Sequence, residues 1–471
     1  MRWTPDELAL AAGGRLRQRG PRPISGVFID TRAPQRGAVF VPIVAQRNGH
    51  DFIEAAIAGG AHAVLQQIGR AIPSGSVSVV EVDDTLAALT RLAQHARNAI
   101  SGPVVAITGS NGKTSTRALT AAALATRYRP LLCTRGNLNN HLGVPLTLLG
   151  SPHDPAAAVI ELGMSAPGEN AHLAKIVRPH AAIITSLALE HLESMGSFQA
   201  IVDAEAEVIP HLQPGGAIIV PENEPALLPH LQRASTARIL RFGSTSQADI
   251  RIRNVVVGPR TIAELELPGH KTVQISLDMF GSYHALNAAA AMCAALHFGL
   301  DPQNVAEALS RVKVVGDRGR WINCGEHALI ADCYNANPGS MRAALSSLGA
   351  LRNHRPGPLI AVLGDMLELG SQEASLHRDL GHHIADLGLD ALITVGPRAK
   401  CIGEAARDGG ILAAHFHKAD AEAAAWLAKL VVDGPGATLL FKASRAIALE
   451  QLVQTLVSVL SPATAPVKQG D

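Results

Sequence analysis

The chain has 471 residues, 47% hydrophobic and 17% charged, and its 41 basic and 40 acidic side chains leave a net charge of +1. That length exceeds one ordinary core and points to about three domains, with the composition of a globular α/β protein rather than a disordered one. The charge balance excludes a global field for nucleic acid or an anionic membrane surface, so any recognition of phosphate has to be local.

Residues 1–98 alternate short apolar strands, such as Val39-Phe40-Val41, with Ala-rich helical patterns, as at residues 52–60, and read as a small α/β unit. Its polar turns are Asp30-Thr31-Arg32 and Arg47-Asn48-Gly49-His50-Asp51. An arginine beside a hydroxyl and an acid has the chemistry to hold a diphosphate and its sugar, although such turns are more often only solvated loops. Ser-Gly-Pro at 101–103 marks a first boundary.

Residues 99–312 repeat strand, loop and helix. The β-branched run from Val104 delivers Thr108-Gly109-Ser110-Asn111-Gly112-Lys113-Thr114 onto a helix start. Glycines let backbone amides close around phosphate oxygens, Lys113 supplies a point charge, and the Thr114 hydroxyl is a ligand for Mg2+. The following helix turns its positive end to the anion. Ile107 stands where the commoner loop has its first glycine, so the stretch taken alone also fits a Gly/Asn turn between a buried strand and a helix.

Next comes Thr134-Arg135-Gly136-Asn137-Leu138-Asn139-Asn140, rich in amides that read hydroxyls and phosphates. A buried strand over 157–162 ends at Glu161, and a second over 181–185 leads to His191. Strand ends of a doubly wound sheet converge on one crevice, which brings Glu161 and His191 toward Lys113 and Thr114 as candidate metal ligands. Singly, Glu161 is also a solvated strand-end acid and His191 a satisfied loop histidine. Residues 245–275 alternate as antiparallel strands do, and an Ala-rich helix opening at Gly281-Ser282-Tyr283-His284 reads as packing.

From 313 to 471, strands at 359–363, 391–395 and 438–441 alternate with helical patterns and imply a parallel sheet of the dinucleotide-fold type, without the Gly-x-Gly-x-x-Gly that a bound dinucleotide would need. A Pro/Ala-rich tail closes the chain. Five cysteines, at 133, 293, 324, 333 and 401, form no Cys-x-x-Cys pair, which argues against a disulfide framework or a zinc cluster and for a reducing cytoplasm. The start of the chain, with Arg2, Asp6 and Glu7, has no apolar signal core, and the apolar stretch 286–300 contains His297 and is short for a bilayer span, so no membrane span is expected.

These clusters, in this order, resemble the Mur ligases. The resemblance rests on Thr108 to Thr114, Gly136-Asn137-Leu138-Asn139-Asn140, Ile160-Glu161-Leu162-Gly163, His191-Leu192-Glu193, Tyr334-Asn335-Ala336-Asn337-Pro338 and Gly364-Asp365-Met366-Leu367-Glu368-Leu369-Gly370. The last two point to the branch that joins UDP-N-acetylmuramoyl-tripeptide to D-alanyl-D-alanine. The resemblance implies a small N-terminal α/β domain for the UDP end, a central P-loop ATPase with a mainly parallel sheet, and a C-terminal Rossmann-like domain. It also implies use of ATP and Mg2+ and an acyl phosphate; a cytoplasmic chain acting as a monomer is the expectation set beside it.

By the same resemblance Gly109, Ser110, Asn111, Gly112 and Lys113 hold ATP phosphates, Thr114 and Glu161 ligate Mg2+, and His191 helps to bind a second metal. Asn287 lies near adenine, Arg320 reaches phosphates, and Asp332 and Asn335 bind nucleotide. Asp30, Thr31, Arg32, Asn48, Gly49 and His50 face the UDP moiety, Asn137 and Asn140 the sugar-peptide part, and Lys442 and Arg445 the remaining substrate. One departure stands out. Many relatives carry a lysine, carbamylated to a carboxylate near the second metal, where this chain has Glu205. Either Glu205 supplies that carboxylate itself or it is an exposed helix residue. Ser186 stands where asparagine is usual.

Overall fold

The computed structural model describes residues 2–150, 154–234, 236–431 and 434–460, so the Pro/Ala-rich tail lies outside the described residues. Three α/β units follow one another, each built on its own main sheet. In the first, Arg15–Gln18, Ser78–Val82, Ala63–Gln67, Val39–Phe40 and Val27–Phe28 are neighbours in that order, parallel apart from the first pair. The strands Val27–Phe28 and Val39–Phe40 run in register, so the loops carrying Asp30 and Asn48 both leave from carboxyl ends.

The central sheet has nine strands, with Val104–Thr108 between Ala157–Glu161 and Ala181–Ile184. All three are parallel and every residue of them is buried, which is why each reads as an unbroken apolar run. Glu161 pairs with Ile107 and Ile184 with Thr108, so the three carboxyl ends finish level and deliver their loops to one crevice. The last three strands, Ile250–Val256, Thr261–Glu266 and Thr272–Leu277, form the expected antiparallel meander. The alternation fails at Val255, which is exposed: the register shifts between Arg253 and Val256, and Asn254 adopts a left-handed φ of 50°. Helix Tyr283–His297 packs its alanines into the same core as the phosphate-loop helix Lys113–Leu124.

The third sheet has six strands. Leu359–Gly364, Ala391–Val395 and Thr438–Lys442 are three of them; the hairpin Arg320–Cys324 with His327–Ala331 and the half-buried edge strand Leu412–Phe416 were not anticipated. Central and C-terminal units share an apolar cluster that includes Leu192, Met195 and Phe280 on one side and Met341, Met366 and Leu369 on the other. Among the described residues no helix is long and apolar enough to cross a membrane, and all five cysteines are free.

Candidate active site

The phosphate loop is shaped by two glycines in the left-handed region, Gly109 at φ 113° and Gly112 at φ 85°. A Cβ on Gly112 would run into the Asn287 side chain, so only glycine admits Asn287 this close to the loop. The loop's amides divide into two sets. Gly109 N–H donates to Glu205 Oε2 (2.8 Å), Ser110 N–H to the Ser186 carbonyl (2.8 Å), and Asn111 N–H to Ser186 Oγ (2.9 Å). The amides of Gly112, Lys113, Thr114 and Ser115, at the helix start, have no partner among the described residues. Those four, with the helix dipole behind them, have the geometry to receive an anion.

Glu161 ends its strand at 3% exposure. Its Oε1 accepts from Asn139 Nδ2 (3.0 Å) and Thr114 Oγ1 (3.3 Å), while Arg117 Nη1 lies 3.3 Å from Oε2 as an ion pair. No well-aligned hydrogen bond reaches Oε2. Lys113 Nζ donates to the carbonyls of Gly109 and Ser110 and sits 3.8 Å from Glu190. Burial works against its charge, but Glu190, Glu205 and Glu161 outweigh burial and hold its pKa above the ordinary lysine value. Burial pushes the Glu190 carboxyl up to about 7, although Lys113 pulls the other way.

His191, at φ 49°, and Glu368, at φ 63°, are both in a backbone region uncommon for side-chain-bearing residues, and their side chains hydrogen-bond across the two units. A second bridge runs from Asn337 Nδ2 to Asn111 Oδ1 (2.9 Å). Between these bridges lies a cavity of about 700 Å3, within the range of small-molecule sites. Ser110, Asn111, Gly112, Lys113, Thr114, Asn137, Asn140, Glu161, His191, Asn287, Asp332, Asn335 and Lys442 all line it. Lys442 Nζ is buried against Asp332 (2.9 Å), which also accepts from Tyr283 (3.3 Å). Asn140 Oδ1 accepts from the Gly143 N–H (2.9 Å), which leaves its amino group for the cavity.

Several expected residues stand elsewhere. Arg320 pairs with Asp317 (2.7 Å) away from the cavity, and among the described residues the arginine lining it is Arg318, whose guanidinium lies 3.6 Å from the Tyr334 ring centroid. Arg445 is exposed and pairs with Glu450 (3.1 Å). Gly109 has its amide turned to Glu205 instead of the cavity. Glu205 is 1% exposed and lies beneath the loop, so it is not an exposed helix residue, nor does it line the cavity as a metal ligand would.

In the N-terminal unit, Asp30 and Arg32 pair with each other (2.7 Å), with Thr31 in the turn between, apart from the cavity. Gln67 N–H donates to His50 Nε2 (3.2 Å), so Nδ1 carries the proton toward Asn48 Oδ1 (2.9 Å). Both ring nitrogens of His50 are thereby engaged within the fold and none is left for a UDP group. Gly49 is pressed against the Ile43 backbone. The sequence reading missed Glu190, Arg318 and Glu368. Glu190 and Glu368 lay inside or beside quoted motifs, whereas nothing distinguished Arg318 from Arg320.

A glycine-bracketed anion site at the carboxyl ends of a parallel sheet, closed by acids and cations from a second α/β unit, defines a multidomain nucleotide-dependent enzyme. Family models described as "Mur ligase middle domain" and "Mur ligase, glutamate ligase domain" match residues 107–295 and 317–445. The chain is 35% identical over 446 residues, 92% of its length and 93% of the relative's, to UDP-N-acetylmuramoyl-tripeptide--D-alanyl-D-alanine ligase of Bacillus subtilis. It superposes on MurF from Acinetobacter baumannii with a TM-score of 0.88 at 30% identity, covering 97% of this chain and 99% of that one. MurF from Thermotoga maritima, solved in complex with ADP, gives 0.81 at 27% identity over 93% and 98%. The chain belongs to the Mur ligase family, in its MurF branch.

Proposed function

We infer that this chain joins D-alanyl-D-alanine to UDP-N-acetylmuramoyl-tripeptide at the expense of ATP, a step of peptidoglycan precursor synthesis. The observation that supports this most is one cavity where four free loop amides, Lys113 and Glu161 from the central unit face Arg318, Asp332 and Lys442 from the C-terminal one. A carboxylate is a poor electrophile at neutral pH. The γ-phosphoryl group of ATP therefore passes first to the tripeptide carboxylate, giving an acyl phosphate and ADP. The dipeptide amine then attacks the acyl carbon, the C–O bond to phosphate breaks, and an amide and inorganic phosphate leave. The protein contributes positioning and charge neutralisation.

In this reading the amides of Gly112 to Ser115 hold the phosphates, and Lys113 leaves the Gly109 carbonyl to meet the transferring group. Arg318 closes over it from the opposite side. Asp332, held by Lys442, binds the nucleotide, and Asn137 and Asn140 orient the sugar-peptide. A hydroxyl and a carboxylate 3.3 Å apart, with one buried carboxylate oxygen lacking a well-aligned donor, form the hard-oxygen set that Mg2+ takes. Thr114 and Glu161 would hold the ion and His191 would lie near a second, neutralising charge on the phosphates. Asp30 and Arg32, at the strand ends of the N-terminal sheet, are left to meet the UDP end.

ATP, a UDP-linked substrate and five free thiols fit the cytoplasm. The deciding assay supplies ATP, Mg2+ and UDP-N-acetylmuramoyl-tripeptide with either D-alanyl-D-alanine or single amino acids. Phosphate release with the dipeptide alone is expected. Release with a lone amino acid would instead mark a sister ligase.

A further inference from the structure

Glu205 is a buried carboxylate with no ion-pair partner among the described residues. It sits in the last turn of helix Phe198–Ala206, where an acid opposes the helix dipole, and burial makes its charge costlier still. Nothing in the packing of that helix calls for an acid. Its Oε2 is instead the meeting point of three donors: the Thr108 hydroxyl, Gly109 N–H (2.8 Å) and Asn170 Nδ2 (3.2 Å). Asn170, itself fully buried, also donates to Thr108 Oγ1 (3.0 Å) and to the Ala204 carbonyl (3.1 Å), tying that helix to the loop from below.

What this net holds is the point where the strand turns into the phosphate loop, at the left-handed Gly109. With Gly109 fixed by Glu205, and Ser110 and Asn111 fixed by Ser186, the loop has its first three amides turned into the protein. The next four are the ones that stay free. We propose that Glu205 is a positioning residue for nucleotide binding, which sets the loop's shape so that the Gly112 to Ser115 amides converge on phosphate. It acts through Gly109 and Thr108 and touches neither ATP nor a cation. This rests on the reading of the loop as the ATP site.

The test is binding of an N-methylanthraniloyl ATP analogue to the full chain by fluorescence, in EDTA and again in Mg2+. Glu205→Ala is expected to weaken binding about tenfold or more in both buffers, since the loop loses two hydrogen bonds. Glu205→Gln keeps an acceptor at the same reach and is expected to bind within about threefold of the parent. In turnover, KM for ATP should rise for the alanine variant while kcat at saturating ATP changes little. Should Glu205→Ala fail to fold, Glu205→Asp, one methylene short, is expected to show the same loss with an unchanged unfolding temperature.

Equal affinity of the parent and the alanine or aspartate variant in EDTA would overturn the proposal. So would a loss confined to Mg2+, or a glutamine variant as weak as the alanine one, either of which makes Glu205 a charge or cation ligand. Failure of the parent chain to bind the analogue at all would overturn the ATP reading itself, and this proposal with it.

Discussion

Arg318 and Arg320 differ by two positions and face different surroundings. Gly319 between them has φ 77° and lies against the Phe280 carbonyl, so the backbone turns and sends one guanidinium over Tyr334 into the cavity and the other to Asp317. A charge-assisted contact to phosphate is worth about 1.5–3 kcal/mol, so Arg318→Ala should raise KM for ATP or lower kcat by about tenfold or more, and Arg320→Ala by less than about threefold. Initial rates of phosphate release across ATP concentrations check both. The pair also shows where sequence reading stops: both are arginines beside one glycine, and only the backbone turn at 319 decides between them. Lys113, Thr114 and Glu161 could be placed in one crevice from the sequence because each ends or follows a buried parallel strand whose end is readable, although the loop's spacing alone left a plain turn open. Burial also titrates. It holds the His284 imidazole down to about 3, so the folded chain stays unprotonated there while the unfolded chain takes up a proton near pH 6.5. Stability contributed by neutral His284 is complete above that pH and falls as pH drops from about 6.5 toward 3. Glu and Asp aside, His284→Asn should flatten the pH dependence of the urea midpoint over that window.

At the scale of elements, the parallel strands were readable because both faces are covered and each is a short apolar run between loops. The edge strand Leu412–Phe416 and the hairpin at 320–331 escaped for opposite reasons. The first is only half-buried, and the second has a polar, partly exposed leading strand whose partner His327–Ala331 is wholly buried. In the turn at 47–51 the histidine ring faces inward. His50 locks the strand at Gln67 to the turn at Asn48, and removing a buried, doubly bonded ring is expected to cost about 1–3 kcal/mol. His50→Ala should therefore lower the unfolding temperature and leave KM for the UDP-linked substrate at saturating ATP nearly unchanged.

Across the whole molecule, the contacts that assemble the cavity join residues 177 and 226 positions apart, beyond the reach of any local pattern. Their energies are unequal. The His191–Glu368 pair has a carboxylate 59% exposed, so Glu368→Ala is expected to change kcat by less than about fivefold. Phe280, fully buried in the cluster shared by the two units and 5.9 Å from the Trp321 ring, is a different matter. Its truncation should cost about 3–5 kcal/mol and increase the radius of gyration in X-ray scattering, as the C-terminal unit loosens from the central one.

The two bridges, Asn111 to Asn337 and His191 to Glu368, join opposite walls of the same cavity. Any step that parts those walls breaks both bridges and swings one unit against the other through solvent. Friction then enters the rate. In sucrose or glycerol kcat should fall in proportion to the microviscosity of the medium, and a variant slowed at the chemical step, such as Lys113→Ala, should lose that dependence.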